Sequence, residues 1–415
     1  MNQYKVKDLL EKVISGEWGS DALGENDVSV IRTTNFTNTG NINLEKEVVK
    51  RNIAEQKVKT KKLRPGDIII EKSGGSPEQP VGRVVYFDID EEEGIYLCNN
   101  FTSILRTNEL VNSKYLFYYL FYQYQRKTVL KFQNKTTGII NLKLDDYLKD
   151  IDISLPSFEE QKGIVAVLDK AKSLIEKRKE ALVKLEEALQ SFYFTTVGTG
   201  AKNYRQWEKK KIEDLALAEK GSMRTGPFGS DLKHSEFVNE GIAVLGIDNA
   251  VNNRFSWGER RFITEEKYNQ LKRYTVKPKD VIITIMGTTG RSAVVPDDIP
   301  LAITTKHLAT ITLNNRLALP EFISYSIHSN QYILKQIQKA NKGAIMNGLN
   351  LGIIKKLEIC LPPMNEQKKF LDFYLNYQLL RNSLTKSLIT LENNFNSLLQ
   401  RAFKGELKIN AEVTA

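Results

Sequence analysis

The stretch IDISLPSFEEQ at 151–161 recurs as LEICLPPMNEQ at 357–367, an offset of 206 residues. Upstream, LRPGDIIIEKSG (63–74) matches VKPKDVIITIMG (276–287) at an offset of 213, and DVSVIRTTNF (27–36) matches GIAVLGIDNA (241–250) at 214. SKYLFYYL (113–120) pairs with PEFISYSI (320–327) at 207. Chance explains one such block, but not four in the same order with slowly drifting offsets. The chain is therefore two homologous halves that differ in loop length, and whatever it folds into is built twice.

Each half follows the same grammar. Short β-branched runs bounded by turn residues come first, at 28–32, 67–71, 81–87 and 101–106, then at 243–246, 280–285, 291–295 and 309–313. They predict strands of a curved sheet or partial barrel. Helices are expected over 114–127 and 320–338. The motif LPxxxEQ then closes each half. Proline holds the residue before it out of helix, and Glu159 or Glu366 favours a helix N-terminus, so the motif marks an extended segment entering a helix. Beyond it, Ile164, Leu168, Ala171, Ile175, Arg178, Leu182, Leu185, Leu189 and Phe192 follow a 4-3 spacing. Phe370, Tyr374, Tyr377, Arg381, Leu384, Leu388, Leu391, Phe395 and Leu398 repeat it 206 residues on. A 3.5-residue period over about four heptads predicts a coiled-coil seam about 30 residues long, interrupted by the two arginines.

Composition narrows the chemistry. The 415 residues are 41% hydrophobic and 27% charged, enough to bury real cores. No run approaches the ~20 apolar residues of a membrane span. The opening MNQYKVKDLLEKV lacks the apolar core of a secretion signal, so a cytoplasmic protein is expected. Two cysteines (Cys98, Cys360) and three scattered histidines (His234, His307, His328) supply no disulfide framework or metal-ligand spacing, and no cofactor is expected. There is no [DN]PP[YF] methyltransferase tetrapeptide and no GxxxxGK[ST] phosphate loop. GTTGRS (287–292) and VGTGAK (197–202) read as tight turns. A carboxylate–lysine nuclease set at Asp67, Glu71 and Lys72 becomes Asp280, Thr284 and Ile285 in the second half, so it is not duplicated, and catalysis is not expected. The net charge is +10, and its excess by segment is 0 over 1–154, 0 over 155–200, +8 over 201–360 and +2 over 361–415. A basic second half points to a polyanion.

Taken together, the duplicated LPxxxEQ helices, RTGPFGSDLK (224–233), GIAVLGIDNA, KPKDVIIT and the ending LLQRAFKGEL (398–407) resemble the specificity (S) subunits of Type I restriction–modification systems. The resemblance covers nearly the whole chain. It implies an α+β protein in which two homologous α/β target recognition domains are separated by a long antiparallel two-helix coiled coil. The expected limits are 1–154 and 201–360 for the domains, 155–200 and 361–415 for the helices. It also implies one half of a bipartite double-stranded DNA target read by each domain. Methyltransferase (M) subunits, two copies, would dock on the helices, restriction/translocase (R) subunits would join through the complex, and no membrane is involved. The first half departs from the family pattern, because its only counterpart to GPFGS is the loose match SGEWGSDALG (15–24), and KSGGSPEQPVGR replaces the shorter MGTTGR.

Base-reading side chains belong on loops between strands, where glycine lets backbone approach closely. In the first half the candidates are Ser73, Gly74, Gly75, Ser76, Gln79 and Arg83, with Asn134, Lys135, Thr136, Thr137 and Asn141 of NKTTGIIN. In the second they are Arg224, Thr225, Phe228, Ser230, Thr288, Thr289 and Arg291, with Asn341, Lys342 and Asn347 of NKGAIMN. The run KVKTKKLR (57–64) suits either a solvated strand edge or a phosphate contact. A rival reading is a coiled-coil adaptor joining two protein-binding domains. It needs neither the basic segment nor the Gly-Asn-Lys loops.

Overall fold

The computed structural model describes residues 2–24, 27–76, 78–90, 92, 94–136, 138–341 and 348–408, with backbone alone at 135, 136 and 341. The chain forms two compact units, Met1–Lys179 with Ser387–Ala415 and Glu180–Lys386. Each contains one mixed domain and part of each of two long helices.

The duplication is reproduced strand for strand in one four-stranded sheet of each unit. In the first unit an antiparallel sheet runs in the order Leu10–Ser15, Thr102–Thr107, Ile68–Glu71, Val84–Tyr86. In the second the order is Met223–Thr225, Leu308–Ile311, Val281–Thr284, Ser292–Val294. The continuous apolar runs IIIE and VIIT are each inner strands buried on both faces. Ile68 and Ile70 face the core packed by the helix Ser113–Gln125, while Ile69 faces a second core with Ile31, Phe87 and Cys98. Val281 and Ile283 divide from Ile282 in the same way. Beside each sheet lies a parallel pair, Asp27–Ile31 with Tyr96–Cys98 and Ile242–Leu245 with Ala302–Thr304.

Two features escape a reading by periodicity. Each domain opens on a strand that pairs with the residues just before the LP motif: Asn2–Lys5 with Asp152–Leu155, and Lys209–Lys211 with Glu358–Cys360. Each domain thus returns to the point where its long helix departs. The helix expected over 320–338 is two, Pro320–Ser329 and Gln331–Asn341. Asn330 breaks it, because its extended backbone lets its Oδ1 accept the Tyr332 N–H at 2.9 Å while its Nδ2 donates to the Tyr193 hydroxyl at 3.1 Å.

The long helices, Phe158–Thr196 and Met364–Phe403, have 39 and 40 residues, longer than the seam alone implies. They are antiparallel in each unit. In the first, Ile164, Leu168 and Ile175 share a core with Phe395, Leu399 and Ala402, and Lys179 pairs with Glu392 at 3.6 Å. In the second, Phe192 stacks on Phe373 at 4.0 Å and Tyr193 meets Phe370 at 5.4 Å. Arg178, Leu182 and Leu185 are only half-buried. Two helices by themselves cannot enclose a side chain, and full burial occurs where a helix lies on a mixed domain.

The LPxxxEQ glutamine explains that docking. Gln161 is buried, its Oε1 accepts the Asn112 N–H at 2.8 Å, and its Nε2 donates to the Pro156 carbonyl at 3.1 Å. Gln367 does the same with the Leu319 N–H at 2.9 Å and the Pro362 carbonyl at 2.9 Å. Asn112 and Leu319 are the N-cap residues of the helices Ser113–Gln125 and Pro320–Ser329. One amide side chain thus satisfies backbone groups at two helix entrances and fixes each long helix to its domain. Among the described residues no helix is long and apolar enough to cross a membrane.

Candidate nucleic-acid interface

The inner strands carry buried carboxylates that decide where the arginines point. Asp67 accepts two hydrogen bonds from Arg106, at 2.9 and 2.7 Å, and Glu71 accepts two from Arg83, both at 3.1 Å. In the second unit Asp280 accepts from Arg224 and from the Thr312 hydroxyl, both at 2.6 Å. Buried pairs of this kind, bidentate in the first unit, hold strands in register in a nearly dry interior, and breaking one strands a charge. Arg83 and Arg224, expected among the base readers, have side chains only 11% and 10% exposed. They brace the sheets from within, and their guanidiniums are held by carboxylates instead of facing a base edge. Asp67 and Glu71 are likewise occupied, and the described residues hold no group of three metal-ligating side chains.

In the first unit the two candidate loops converge. Gln133–Thr136 and Ile139–Leu142 form a hairpin in which Asn134 faces Asn141. Its second strand pairs with Ser73–Gly74, and the Ser73 hydroxyl meets Asn141 Oδ1 at 2.6 Å. The turn that follows is closed by the Ser76 N–H on the Gln79 carbonyl at 2.9 Å, and Gln79 Nε2 reaches Asn38 Oδ1 at 2.8 Å. Gly75 at φ +72 is required there, since a Cβ would lie 2.8 Å from Val81 Cγ2 and 2.9 Å from the Gln79 carbonyl. For Lys135 and Thr136 only the backbone is described, and Thr137 lies outside the described residues. The basic run 57–64 is not a strand edge. Residues 57–61 belong to the helix Glu55–Lys61, where Lys57 and Lys61 pair with Glu17 at 3.2 and 2.9 Å, and 62–64 form the coil that follows.

In the second unit Thr288, Thr289 and Arg291 occupy the turn between the strands Val281–Thr284 and Ser292–Val294. The Thr284 hydroxyl accepts the Arg291 backbone N–H at 3.0 Å and donates to the Thr288 carbonyl, leaving the Thr288 and Arg291 side chains exposed. The Leu349 N–H reaches the Ile285 carbonyl at 3.2 Å, just as the Leu142 N–H reaches Lys72 at 2.9 Å. Thus in both units the chain just after the Asn-Lys segment, at Leu142 or Leu349, bonds beside the turn. Lys342 and Asn347 lie outside the described residues, and Asn341 is described by backbone alone.

Comparison with known proteins decides the family. The Type I restriction modification DNA specificity domain model matches residues 1–187 and again 204–393. The chain belongs to that family. It is 25% identical over 283 residues to the Type I restriction enzyme MjaVIII specificity subunit of Methanocaldococcus jannaschii, covering 66% of this chain and 65% of that one. The MjaIX specificity subunit of the same organism is 24% identical over 432 residues, covering 98% of this chain and 93% of its own. In fold, the chain is similar to the crystal structure of a Type I S subunit from M. genitalium, with TM-score 0.57 at 16% identity over 97% of this chain and 96% of that one.

Within this specificity chain the segments SGEWGS (15–20) and TGPFGS (225–230) are structural equivalents, more closely than the sequence match suggests. A Cβ on Gly16 would sit 2.0 Å from the Asn99 carbonyl oxygen, and one on Gly226 would sit 2.3 Å from the Thr304 carbonyl oxygen. Both glycines let backbone cross the end of the parallel pair. Gly19 and Gly229 then take φ +67 and +59. The aromatic between them has different fates. Trp18 packs partly on the core of Val28, Val30 and Leu97, with the Arg51 guanidinium 4.4 Å above its ring. Phe228 stands 51% exposed beside the exposed Ser230. Thr225 is in the strand, opposite Ala309.

Proposed function

We propose that this chain is the non-catalytic DNA-recognition subunit of a Type I restriction–modification assembly in the cytoplasm. Each mixed domain, at about 1–154 and 201–360, reads one half of a bipartite duplex. The helices space the halves and dock two methyltransferase subunits, through which restriction/translocase subunits join. The observation that carries this reading is a repeated scaffold bearing unrepeated loop chemistry. Both units fix their long helix through the same glutamine, and in both the chain just after the Asn-Lys segment bonds beside a turn, through Leu142 or Leu349. The side chains on these loops differ: Ser73, Gln79, Asn134 and Asn141 in one unit, Thr288 and Thr289 in the other, with Phe228 and Ser230 exposed on its TGPFGS segment. Equivalent scaffolds with different hydrogen-bonding edges suit an asymmetric two-part sequence. The nuclease-like carboxylates serve as arginine partners, which favours a chain without chemistry of its own.

The test is to purify the chain with its methyltransferase partner and map methylated sites on genomic DNA. Two specified blocks around a fixed gap are expected. Inserting one heptad in each long helix at matched positions adds about 10 Å. This should widen the gap by roughly three base pairs with both blocks unchanged. A changed block with a constant gap would remove the spacer role. A single continuous block would remove the bipartite reading.

A further inference from the structure

The two units contain a matching cleft where a long-helix pair meets the mixed domain, and the two clefts are charged differently. In the first unit it is lined by Asn38, Thr39, Phe121, Lys172 and Glu392 among others, and in the second by Asn252, Asn253, His328, Gln378 and Glu186 at the corresponding offsets. The first cleft neutralises itself. Lys179 pairs with Glu392 at 3.6 Å, Glu176 faces the same space, and burial pushes Lys172 down to about 8. The second cleft, of about 410 Å³, is lined by Arg254, Arg291 and Arg381. Its single carboxylate, Glu186, already accepts a hydrogen bond from the Tyr377 hydroxyl. Among the described residues no carboxylate pairs with any of the three guanidiniums.

Arg291 is the equivalent of Arg83. Val84 pairs with Ile70 and Ser292 with Ile283, and the residue before each accepts the N–H of Glu71 or Thr284 through its carbonyl at 2.9 and 2.8 Å. Where the first unit has Glu71 to hold its arginine, the second has Thr284, and Arg291 turns out into the cleft. His328 adds no charge there, because burial, and to a lesser degree Arg291, holds it down to about 4. Three unpaired guanidiniums beside neutral amide donors form a site for an oxyanion with several acceptor oxygens.

We infer that this cleft of the second unit grips a backbone phosphate of the DNA through Arg254, Arg291 and Arg381. The inference rests on the DNA-recognition reading and extends it to a contact that positions without reading sequence. A nucleic-acid phosphate is favoured over an acidic protein segment by the location. Arg291 ends the same turn that carries Thr288 and Thr289, so a strand whose bases meet that turn has its phosphates within reach of the cleft. The +8 excess of 201–360 provides the same sign of field around it.

The experiment uses the full chain with a fluorescein-labelled 30-base-pair duplex of mixed sequence, titrated over a series of KCl concentrations. Arg254→Gln, Arg291→Gln and Arg381→Gln are each expected to lower the slope of log K against log[KCl] by about one. They should leave the methylated sequence unchanged when the chain is assembled with its methyltransferase partner. Thr284→Glu installs the carboxylate that Arg83 has and should reproduce the Arg291→Gln slope with all three arginines present. Arg291→Lys should retain the slope, which separates charge from folding, and circular dichroism melts check that every variant folds. Wild-type slopes in all three Gln variants, with sequence-specific methylation intact, overturn the phosphate site and leave the recognition reading standing. Loss of binding to a polyglutamate peptide with the duplex slope unchanged overturns it in favour of an acidic protein segment. No sequence-specific methylation by the wild-type assembly removes both.

Discussion

Arg83 and Arg291 hold the same place in two copies of one sheet, yet one is an internal brace and the other a surface cation. The backbone around them is alike: each carbonyl accepts the N–H of the inner-strand residue at 2.9 or 2.8 Å. The difference is whether that residue is Glu71 or Thr284. A buried carboxylate compels its arginine inward, since either charge alone in that interior would be costly. A threonine uses its hydroxyl on the turn itself and leaves the arginine free. The second buried pair shows the converse. Asp67 and Asp280 are equivalent, but the first is neutralised by Arg106 from the inner neighbouring strand and the second by Arg224 from the edge strand. Duplication has kept the demand for a cation while changing where it comes from.

The sharpest way to break this comparison is to substitute both sides of it. Glu71→Ala leaves Arg83 buried without its anion and should cost about 3–5 kcal/mol, read by urea denaturation. Arg291→Ala should stay within about 0.5 kcal/mol. Equal costs would show that the two arginines are not differently used.

Acid should separate the units next. His328 is held down to about 4, chiefly by burial, from an ordinary value of 6.5, and the first unit has Phe121 at the matching position. A lowered histidine favours the fold fully above pH 6.5, and that contribution is lost as the pH falls from 6.5 towards 4, by about 1.4 kcal/mol per unit at most. Amide protection factors, which remove the intrinsic pH dependence of exchange, should therefore fall over that interval more in the helix Pro320–Ser329 than in Ser113–Gln125. His328→Phe should abolish the difference, and its persistence would assign it elsewhere.

Gln161→Ala and Gln367→Ala sharpen the opposite point, that the helix anchors are alike. Each removes a buried amide that satisfies backbone at two helix entrances, so each should cost about 1–3 kcal/mol, and by similar amounts. The smallest expected contrast is aromatic. Trp18→Ala loses partly buried area and the Arg51 contact, for roughly 1–2 kcal/mol, whereas Phe228→Ala should be within about 0.5 kcal/mol of wild type in thermal melts.

Much of this was legible in the residues. The fourfold block match predicts two copies of one fold, and the apolar runs at 67–71 and 280–285 lie on the inner strands. The 4-3 spacing marks both long helices. The candidate loops were found because Gly, Asn and Lys cluster between strands, and two of them do converge, as Ser73 and Asn141 show. The errors have one origin. An arginine in a loop-rich stretch reads as a ligand contact, and nothing local indicates that Arg83 lies against Glu71, 12 residues away, or Arg224 against Asp280, 56 residues away. The equivalence of SGEWGS with TGPFGS was likewise weak in sequence, since what the two share is a close backbone approach at Gly16 and Gly226.

The sequence by itself determined the duplication, the strands at 67–71 and 280–285, the helix entrances at LPxxxEQ and the antiparallel helix pair implied by the resemblance. Each of these is written in local periodicity or in a repeated motif. Only the tertiary structure decided which charges are spent inside the fold and which remain for a partner. That choice depends on pairings between residues far apart in the chain, and a single carboxylate brought within hydrogen-bonding reach is enough to reverse it.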